Sequence, residues 1–258
     1  MPGRALFSPA VTRFVVLSTQ RSGSTWVVDM LTSHPRVVAY SELFMHGGEG
    51  KPRWGQEQDL PYWQTYARGK YRITKPYWLW EYLGQAYRER PGIDAVGFKL
   101  MYSQLTRISR PLMPALWLKR VRIIHLIRRN ALDVVLSKEA GAAREGRLHA
   151  RDGEDVEEVR LNLDTDTLLR RMTLHERAIA GARVRFKRVG LPYTEVVYED
   201  LADDDSGFAS LFEFLDVDPA PVSSSLQKLN PTSHEELIEN YGEVRDALAE
   251  TEFAALLR

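Results

Sequence analysis

The sequence predicts an α/β protein of three layers, in which helices flank both faces of a central parallel β-sheet. Several short aliphatic runs are apolar on both faces, which is typical of strands buried inside a parallel sheet. Polar loops and stretches with helical apolar spacing follow two of these runs. Strands that alternate with helices in this way indicate parallel pairing through crossover helices.

Two strand–loop–helix units carry this prediction. The first has a strand at residues 13–18 (RFVVLS), turn-forming residues at 19–24 and a helix at 25–33 (TWVVDMLTS). The second has a strand at residues 121–127 (VRIIHLI) and a helix at 131–145. Both units end their strand in polar residues just before the helix, so both loops are expected at the same edge of the sheet.

The remaining chain adds elements to the same fold. Further strands are predicted at residues 95–101 and 191–197, and a helix at 203–215. Residues 141–166 mix glycines and arginines with a dense acidic patch, so we expect a mobile surface segment or lid there rather than core. With 258 residues and a 44% hydrophobic composition, the chain can bury a substantial core as a single domain over residues 1–258.

The composition excludes several classes of function. The 35 basic and 35 acidic side chains cancel, which removes the broad positive field of a protein that wraps nucleic acid. The absence of cysteine excludes disulfides and thiolate metal sites. No apolar run approaches the roughly 20 residues needed to cross a bilayer. We expect a cytoplasmic protein with no transmembrane segment and no nucleic-acid partner; its oligomeric state, a homodimer included, stays open.

The segment at residues 19–26, TQRSGSTW, places a small, hydroxyl-rich turn between a buried strand and the start of a helix. Backbone N–H groups there lack helical partners and, together with the helix dipole, favour a phosphate or sulfate. Gly23 lets the chain approach the anion closely, and Arg21 adds a forked cation suited to oxyanions. Three hydroxyl side chains can donate further hydrogen bonds: Ser22, Ser24 and Thr25.

Two other interpretations of this loop stay open. A serine can simply cap the helix of an ordinary strand-to-helix turn. The loop can also belong to a P-loop kinase, although the signature Gly-x-x-x-x-Gly-Lys-Ser/Thr is not met. The first glycine is missing, and Arg21 precedes Gly23 where the nucleotide-binding lysine would follow a glycine. A metal-independent anion site is therefore favoured.

A second cationic feature lies at the end of the strand at residues 121–127. Arg129 follows that strand and Ser137 comes eight residues later, so both can face one phosphate if the helix starts near Asn130. Residues 107–129 hold seven lysines or arginines and no acid, a local positive region in a chain of zero net charge. Most of these cations are expected to be solvated, and a binding role is reserved for Arg129.

The two segments together resemble the sulfotransferases that use 3′-phosphoadenosine 5′-phosphosulfate (PAPS). In that family a loop of the QRSGST type grips the 5′-phosphosulfate, and an arginine with a serine eight residues on, in the pattern RNPxDxxVS, grips the 3′-phosphate. The matching residues are Arg21, Ser22, Gly23, Ser24, Thr25 and Trp26, and then Arg129, Asp133 and Ser137. Ala131 stands where many members have proline. Arg21 replaces the lysine of animal cytosolic members, so the chain looks closer to bacterial and carbohydrate-type members.

The resemblance implies a P-loop-like fold and transfer of a sulfuryl group from PAPS to a hydroxyl of a carbohydrate, glycolipid or natural product. The products are then a sulfate ester and adenosine 3′,5′-bisphosphate, with no metal required. Residues 226–245 look like the family's closing segment over the nucleotide, in which Lys228 and Asn230 are candidate contacts. A P-loop-type kinase and a non-catalytic nucleotide-binding protein are the alternative functions.

Three further residues are candidates for the chemical step. Glu42 is the first candidate for the base that takes the acceptor's proton, because it follows a short apolar run that can end at the same sheet edge. Bacterial trehalose-modifying sulfotransferases resemble this chain in using a glutamate there. His46 is the second candidate base, since an imidazole titrates near neutrality. Lys99, a charge inside an apolar strand, either reaches the sheet end or serves the transferring sulfate together with Arg21.

Aromatic residues are dense between positions 54 and 87. This density is typical of core packing, yet aromatic faces with polar edges also line sites for sugars and other hydroxylated ligands. We therefore treat the region as a candidate wall of the acceptor site. Its members are Trp54, Tyr62, Trp63, Tyr66, Tyr71, Tyr77, Trp78, Trp80, Tyr82 and Tyr87.

Overall fold

The computed structural model describes residues 11–46, 60–144, 149–151, 153–204, 206–227, 229–230 and 233–257. The strands of these ranges are β1 (Thr12–Ser18), β2 (Val37–Glu42), β3 (Ala95–Met101), β4 (Arg122–Ile127), β5 (Ala150–Arg151), β6 (Tyr193–Val197) and β7 (Leu226–Gln227). The α-helices are α1 (Ser24–Ser33), α2 (Trp63–Ala67), α3 (Lys75–Ala86), α4 (Tyr102–Leu118), α5 (Ala131–Ala143), α6 (Thr165–Val189), α7 (Tyr198–Asp203), α8 (Ser206–Phe214), α9 (His234–Leu237) and α10 (Tyr241–Leu248). Short 3₁₀ turns lie at Arg72–Thr74 and Ala254–Leu256.

Five strands form one parallel sheet in the order β2-β3-β1-β4-β6. Strands β1 and β3 lie at its centre and are almost fully buried, as their continuous apolar sequence requires. Strands β5 and β7 pair antiparallel in a separate two-stranded sheet. The predicted fold class, an α/β protein with a parallel sheet flanked by helices, is confirmed.

The core occupies both faces of the sheet because successive side chains of a strand point to opposite sides. From β1, Val15 and Leu17 pack on the face covered by α3 and α4. Phe14 and Val16 pack on the face covered by α1 and α8. At Gly97 in β3 an added Cβ would lie 2.4 Å from the Phe14 ring, so the glycine makes room for that ring.

A third cluster of buried residues joins α5, α6, α9 and α10 beside the sheet. It includes Leu161 and Leu163, which are 6% and 3% exposed, and Leu161 forms a parallel bridge to Ile238. The expectation that residues 141–166 lie outside the core is therefore wrong for this part of the segment. Leu161 and Leu163 lie close to many charged residues in the sequence. Their spacing of two residues places both side chains on the buried side of an extended chain.

Helices α4 and α6 extend the predicted set of elements. Helix α6 is 25 residues long and buries one stripe at helical intervals, from Leu168 and Met172 to Phe186. The helix predicted at residues 203–215 corresponds to α8, preceded by the short α7. Among the described residues, no helix combines the length and the apolar character that a membrane span requires.

Candidate active site

The carboxyl edge of the sheet carries a cavity of about 740 Å³. Parallel strands all end at one edge, so residues far apart in sequence meet there. Each of the five strands contributes a lining side chain at or just beyond its carboxyl end, and Lys99 lies near the end of β3. These residues are Arg21 after β1, Glu42 in β2, Lys99 in β3, Arg128 after β4 and Tyr198 after β6.

The loop between β1 and α1 has a backbone shaped for close approach. Arg21 and Gly23 both have positive φ, at 64° and 79°, and Gly23 precedes the first residue of α1. A Cβ on Gly23 would lie 2.1 Å from the ring of Tyr198, which packs over the loop. Glycine is therefore needed at this position for two reasons, the left-handed backbone and the aromatic neighbour.

The hydroxyl side chains of this loop divide into two groups. Ser22 is fully buried, and its Oγ lies 2.5 Å from Oγ1 of Thr19, so it braces the turn from inside. Ser24 and Thr25 line the cavity, as does Trp26. The first N–H groups of α1 have no partner within the helix, which makes this end of the cavity suited to an anion.

The guanidinium of Arg21 lies between this loop and α5. Its Nε donates a hydrogen bond to Oγ of Ser137, 2.9 Å away, so the structure joins these two predicted site residues. Burial, followed by repulsion from Arg128 and Arg144, lowers the pKa of Arg21 to about 10. Three guanidinium groups thus act on one another in the cavity, and a bound anion would relieve their repulsion.

The two arginines after β4 have different environments. Arg129 donates from Nη2 to both carboxylate oxygens of Asp200, at 3.0 and 3.1 Å, and its side chain is 61% exposed. It is not one of the residues that line the cavity. Arg128 does line it, and the Arg128 guanidinium lies 4.8 Å above the Tyr198 ring.

Arg128, and not Arg129, therefore lines the cavity at the end of β4. The physical reason is that neighbouring side chains of an extended segment leave the backbone on opposite sides. The Arg128 guanidinium donates from Nη1 to the carbonyl of Arg21, at 3.3 Å, and from Nη2 to Oδ2 of Asp133, at 3.0 Å. Its Nε is buried and has no hydrogen-bond partner among the described residues.

Helix α6 ties the two loops together through His175. One ring nitrogen, Nε2, lies 3.1 Å from the carbonyl oxygen of Arg128. The other, Nδ1, lies 3.4 Å from Oγ1 of Thr19. The histidine is 8% exposed, so a buried polar side chain fixes the distance between the loop after β1 and the loop after β4.

The Glu42 carboxylate is held by two neighbours. Its Oε1 lies 3.1 Å from Nζ of Lys99, and its Oε2 accepts a hydrogen bond of 2.5 Å from Nε2 of Gln104. Lys99 also donates to Oγ1 of Thr25, at 3.0 Å, which links the pair to the start of α1, directly after the loop that follows β1. Burial lowers the pKa of Lys99 despite the nearby carboxylate of Glu42.

A β-bulge produces this arrangement. Strand β2 pairs Tyr40 with Phe98 and then Glu42 with Lys99, so Ser41 is an extra residue in the ladder. Without the extra residue, Glu42 would share the sheet face of Tyr40, which packs in the core. The bulge instead brings Glu42 beside Lys99, on the same edge as the loop after β1.

Two histidines complete this side of the cavity. His149 Nε2 lies 3.2 Å from Oγ1 of Thr25. Burial, followed by the charges of Arg21 and Lys99, lowers the pKa of His149 to about 3, so its ring is neutral at pH 7. His46, the second candidate base, also lines the cavity and is exposed.

The C-terminal part of the chain covers the opposite side. Strands β5 and β7 pair there, and Asn230 lines the cavity while its Oδ1 accepts a 2.8 Å hydrogen bond from Nη1 of Arg144. His234, in α9, lies 2.7 Å from Oδ1 of Asp133 through its Nε2. Lys228, the other predicted contact of this segment, lies outside the described residues.

Several residues that line the cavity were not predicted from the sequence. Arg128 stands next to the arginine that was chosen, and no local pattern separates the two. Arg144 and His149 come from the segment expected to be a surface lid, and neither residue belongs to a recognisable sequence motif. Tyr198 could have been noticed as an aromatic residue directly after a predicted strand. The missed lining residues named here are Arg128, Arg144, His149, Gln104 and Tyr198.

A second cavity of about 510 Å³ adjoins the first, and His46 lines both. Trp63, Tyr71 and Trp78 line this second cavity. Other members of the aromatic region pack in the core, namely Tyr62, Tyr82 and Tyr87. The region thus divides between core, cavity wall and surface, since Tyr77 and Trp80 are 56% and 40% exposed and line neither cavity. Trp54 lies outside the described residues.

The fold and this site define an α/β protein whose parallel sheet presents a cavity lined by three arginines and a lysine at its carboxyl edge. No family model matches the chain, and no curated protein sequence matches it.

Among solved structures, a sulfotransferase from Alicyclobacillus acidocaldarius is similar at 16% identity and a TM-score of 0.48, over 96% of each chain. STF9, a sulfotransferase from Mycobacterium avium, is similar at 14% identity and a TM-score of 0.43, over 94% of this chain and 76% of its own. Mouse sulfotransferase SULT7A1, complexed with PAP, is similar at 15% identity and a TM-score of 0.41, over 81% and 61%.

Proposed function

We propose that the protein is a PAPS-dependent sulfotransferase that transfers a sulfuryl group to a hydroxyl of a small or medium-sized acceptor. One observation carries the proposal. The helix start at Ser24 and the guanidinium groups of Arg21, Arg128 and Arg144 meet in one cavity, beside the Glu42–Lys99 pair. A donor with several anionic groups fits the cationic part, and a proton acceptor is held next to it.

The donor's phosphosulfate end is assigned to the loop after β1. There the backbone N–H groups at the start of α1, with Ser24 and Thr25, would bind the non-bridging oxygens. The 3′-phosphate is assigned to Arg128 and Ser137, since the buried Nε of Arg128 has no hydrogen-bond partner in the part of the chain that the structure describes. Arg21 stands between the two positions and can contact either anion. Asn230 and Arg144 would cover the nucleotide from the C-terminal side.

The chemical step then needs alignment and charge neutralisation more than covalent help. Glu42 accepts the proton of the acceptor hydroxyl while the hydroxyl oxygen forms its bond to sulfur. The bond between that sulfur and the bridging oxygen of the donor phosphate breaks, and the electron pair leaves with adenosine 3′,5′-bisphosphate. Arg21 and Lys99 neutralise the negative charge that builds on the sulfuryl and leaving oxygens.

Several finer predictions belong to the same proposal. The acceptor is a carbohydrate, glycolipid or natural product, the reaction needs no metal, and the protein works in the cytoplasm. A P-loop-type kinase is the competing enzyme, and a non-catalytic nucleotide-binding protein is the competing binding module. The loop after β1 argues against the kinase because it lacks the Gly-Lys-Ser/Thr ending of that signature.

Two titrations and one activity assay separate these functions. Isothermal calorimetry with adenosine 3′,5′-bisphosphate should show binding in metal-free buffer, whereas ATP with Mg²⁺ should bind at least tenfold more weakly. Tighter binding of ATP with Mg²⁺ would favour the kinase. Incubation with ³⁵S-labelled PAPS and a panel of hydroxylated acceptors should then yield a labelled sulfate ester. Nucleotide binding with no labelled product from any acceptor would favour the non-catalytic protein.

The base assignment is tested by Glu42→Gln, which keeps the side-chain size and removes the proton acceptor. We expect kcat to fall by about 100-fold to 10,000-fold, the usual contribution of a general base, while the affinity for adenosine 3′,5′-bisphosphate stays within threefold. His46→Gln is the matched variant and should lose less than tenfold. A larger loss of kcat from His46→Gln than from Glu42→Gln would identify His46 as the base instead.

A further inference from the structure

The second cavity differs in character from the first. Its lining combines aromatic faces with four cations, and within the described ranges it has no acidic lining residue. The cations are Arg68, Lys70, Arg72 and Lys75. The sequence from position 60 to position 80 contains these four cations and no aspartate or glutamate, in a chain whose total charge is zero. The positive charge is therefore concentrated at this cavity.

Helix stability does not account for this charge. Lys75 is the first residue of α3, and Arg72 lies in the 3₁₀ turn just before it. Cations are unfavourable near a helix N-terminus because they repel the positive end of the helix dipole. Their presence on the cavity wall indicates a binding role.

The aromatic residues give the cavity flat apolar surfaces. Trp63 is buried and supports the wall from the core, while Trp78 is half-buried and Tyr71 is 82% exposed. Nζ of Lys70 lies 3.4 Å from the centre of the Tyr66 ring and 5.0 Å from that of Trp78. This packing keeps one ammonium group beside the aromatic wall, so apolar and cationic recognition occur at one place.

The position of the cavity connects it with the reaction. His46 lines both cavities, and the first cavity also contains Glu42. A molecule that fills the second cavity therefore extends toward the candidate base and the transferring sulfuryl group. A volume of about 510 Å³ is sufficient for a medium-sized organic molecule.

We propose that the second cavity is the acceptor site and that it selects an acceptor which is itself anionic: a hydroxylated molecule with a ring or other flat apolar part and a carboxylate, phosphate or sulfate group. The hydroxyl is presented at His46 toward the first cavity, and the anionic group is held by Arg72 and Lys75. This inference rests on the proposed function, because a molecule bound in the second cavity is an acceptor only if the protein transfers a sulfuryl group.

The test uses a matched pair of probes, 4-(hydroxymethyl)benzoate and its neutral methyl ester. Each is titrated by calorimetry at low ionic strength into protein with and without saturating adenosine 3′,5′-bisphosphate. We expect the carboxylate to bind about tenfold more tightly than the ester, because several partly exposed cations contribute modestly each. The preference should shrink at 0.5 M salt, where the Debye length falls to about 4 Å.

Two variants locate the effect. Arg72→Gln combined with Lys75→Gln should reduce the carboxylate's preference to within twofold and leave the binding of adenosine 3′,5′-bisphosphate unchanged. Arg177→Gln removes an exposed cation of α6 away from the cavity and should keep the full preference. Because both variants change only exposed or half-buried side chains, circular dichroism and the unfolding midpoint should match the parent protein.

The outcomes distinguish this inference from the proposed function. Equal binding of acid and ester, or an equal loss in the Arg177 variant, would overturn the anionic acceptor while nucleotide binding stood. Failure of adenosine 3′,5′-bisphosphate to bind would overturn the proposed function. The carboxylate titration without nucleotide would still test the charge selection of the cavity in that case.

Discussion

The loop after β1 and the loop after β4 face the same cavity but are built differently. The first is shaped by its backbone, with positive φ at Arg21 and Gly23 and an aromatic ring packed against the glycine. The second is shaped by ion pairs, in which Asp133 holds Arg128 and Asp200 holds Arg129. The first loop should therefore be sensitive to added volume, and the second to pH and to loss of charge.

Between the two loops, the largest effect is expected from Arg21→Gln in the first loop. This change removes the cation that stands between the two proposed anion positions while keeping a polar side chain. We expect kcat/KM to fall by about 100-fold to 1,000-fold, the usual loss when one donor to a developing charge is removed. Steady-state kinetics with labelled PAPS measures the loss. A change of less than threefold would show that Arg21 only braces Ser137.

The next effect compares the two arginines of the second loop. Arg128→Gln should weaken the binding of adenosine 3′,5′-bisphosphate by about 10-fold to 100-fold, as expected for a charge-assisted hydrogen bond. Arg129→Gln is the matched control and should change the affinity by less than twofold, because its exposed pair with Asp200 contributes little. Calorimetric titration measures both. A larger loss of affinity in Arg129→Gln than in Arg128→Gln would support Arg129 as the contact of the 3′-phosphate, as the family resemblance implies.

The backbone of the first loop is tested by Gly23→Ala. The added methyl group meets the Tyr198 ring and a left-handed backbone, so we expect about 3 kcal/mol of lost unfolding free energy. Gly92→Ala is the control, since Gly92 has the same φ of 79° and nothing within 4 Å of its added Cβ. It should lose only about 1 kcal/mol, the cost of the backbone alone. Urea denaturation measures the free energy of unfolding of both variants. Equal losses would show that the Tyr198 ring does not conflict with the added methyl group.

The smallest effect concerns the ion pairs of the second loop. Burial raises the pKa of Asp133, but the hydrogen bond from His234 and the charge of Arg128 outweigh it and lower the pKa to about 2. A carboxylate with a lowered pKa stabilises the folded state above the unfolded pKa of about 4, and that contribution is lost as the pH falls from 4 to 2. The contribution at pH 7 is about 2 kcal/mol.

Asp133→Asn should therefore lose about 2 kcal/mol at pH 7 and much less at pH 2.5, because the wild-type carboxylate has by then lost most of its advantage. Asp246→Asn is the control, as Asp246 is 73% exposed and pairs only with the neighbouring Arg245 among the described contacts. Urea denaturation at both pH values measures the difference. A loss for Asp133→Asn that does not depend on pH would mean that the carboxylate acts through packing and not through its charge.

The sequence allowed much of the fold to be predicted, because the parallel strands are continuous apolar runs and the loop after β1 follows one of them directly. The contribution of α6 was harder to predict. Its buried stripe is interrupted by many charges, and its role depends on His175, which contacts two loops distant in sequence.

The site was predicted unevenly for physical reasons. Glu42 and Lys99 could be selected because each is a charge in or directly after an apolar run, and Arg21 because it lies in a hydroxyl-rich, glycine-containing loop before a helix. The cavity contains all three. The choice between Arg128 and Arg129 depends on which side of the backbone each side chain leaves, and two adjacent identical residues give no sign of that. The bulge at Ser41, which brings Glu42 to Lys99, likewise depends on strand pairing and has no local signature.

A crystal structure with adenosine 3′,5′-bisphosphate bound is the most direct test, because it gives the distance from each phosphate to each loop. We expect the 5′-phosphate to accept hydrogen bonds from backbone N–H groups at the start of α1, and the 3′-phosphate to lie within about 3 Å of the Arg128 guanidinium. A nucleotide bound outside this cavity, or one that contacts only one of the two loops, would contradict the proposal that the loops hold the two ends of a single donor.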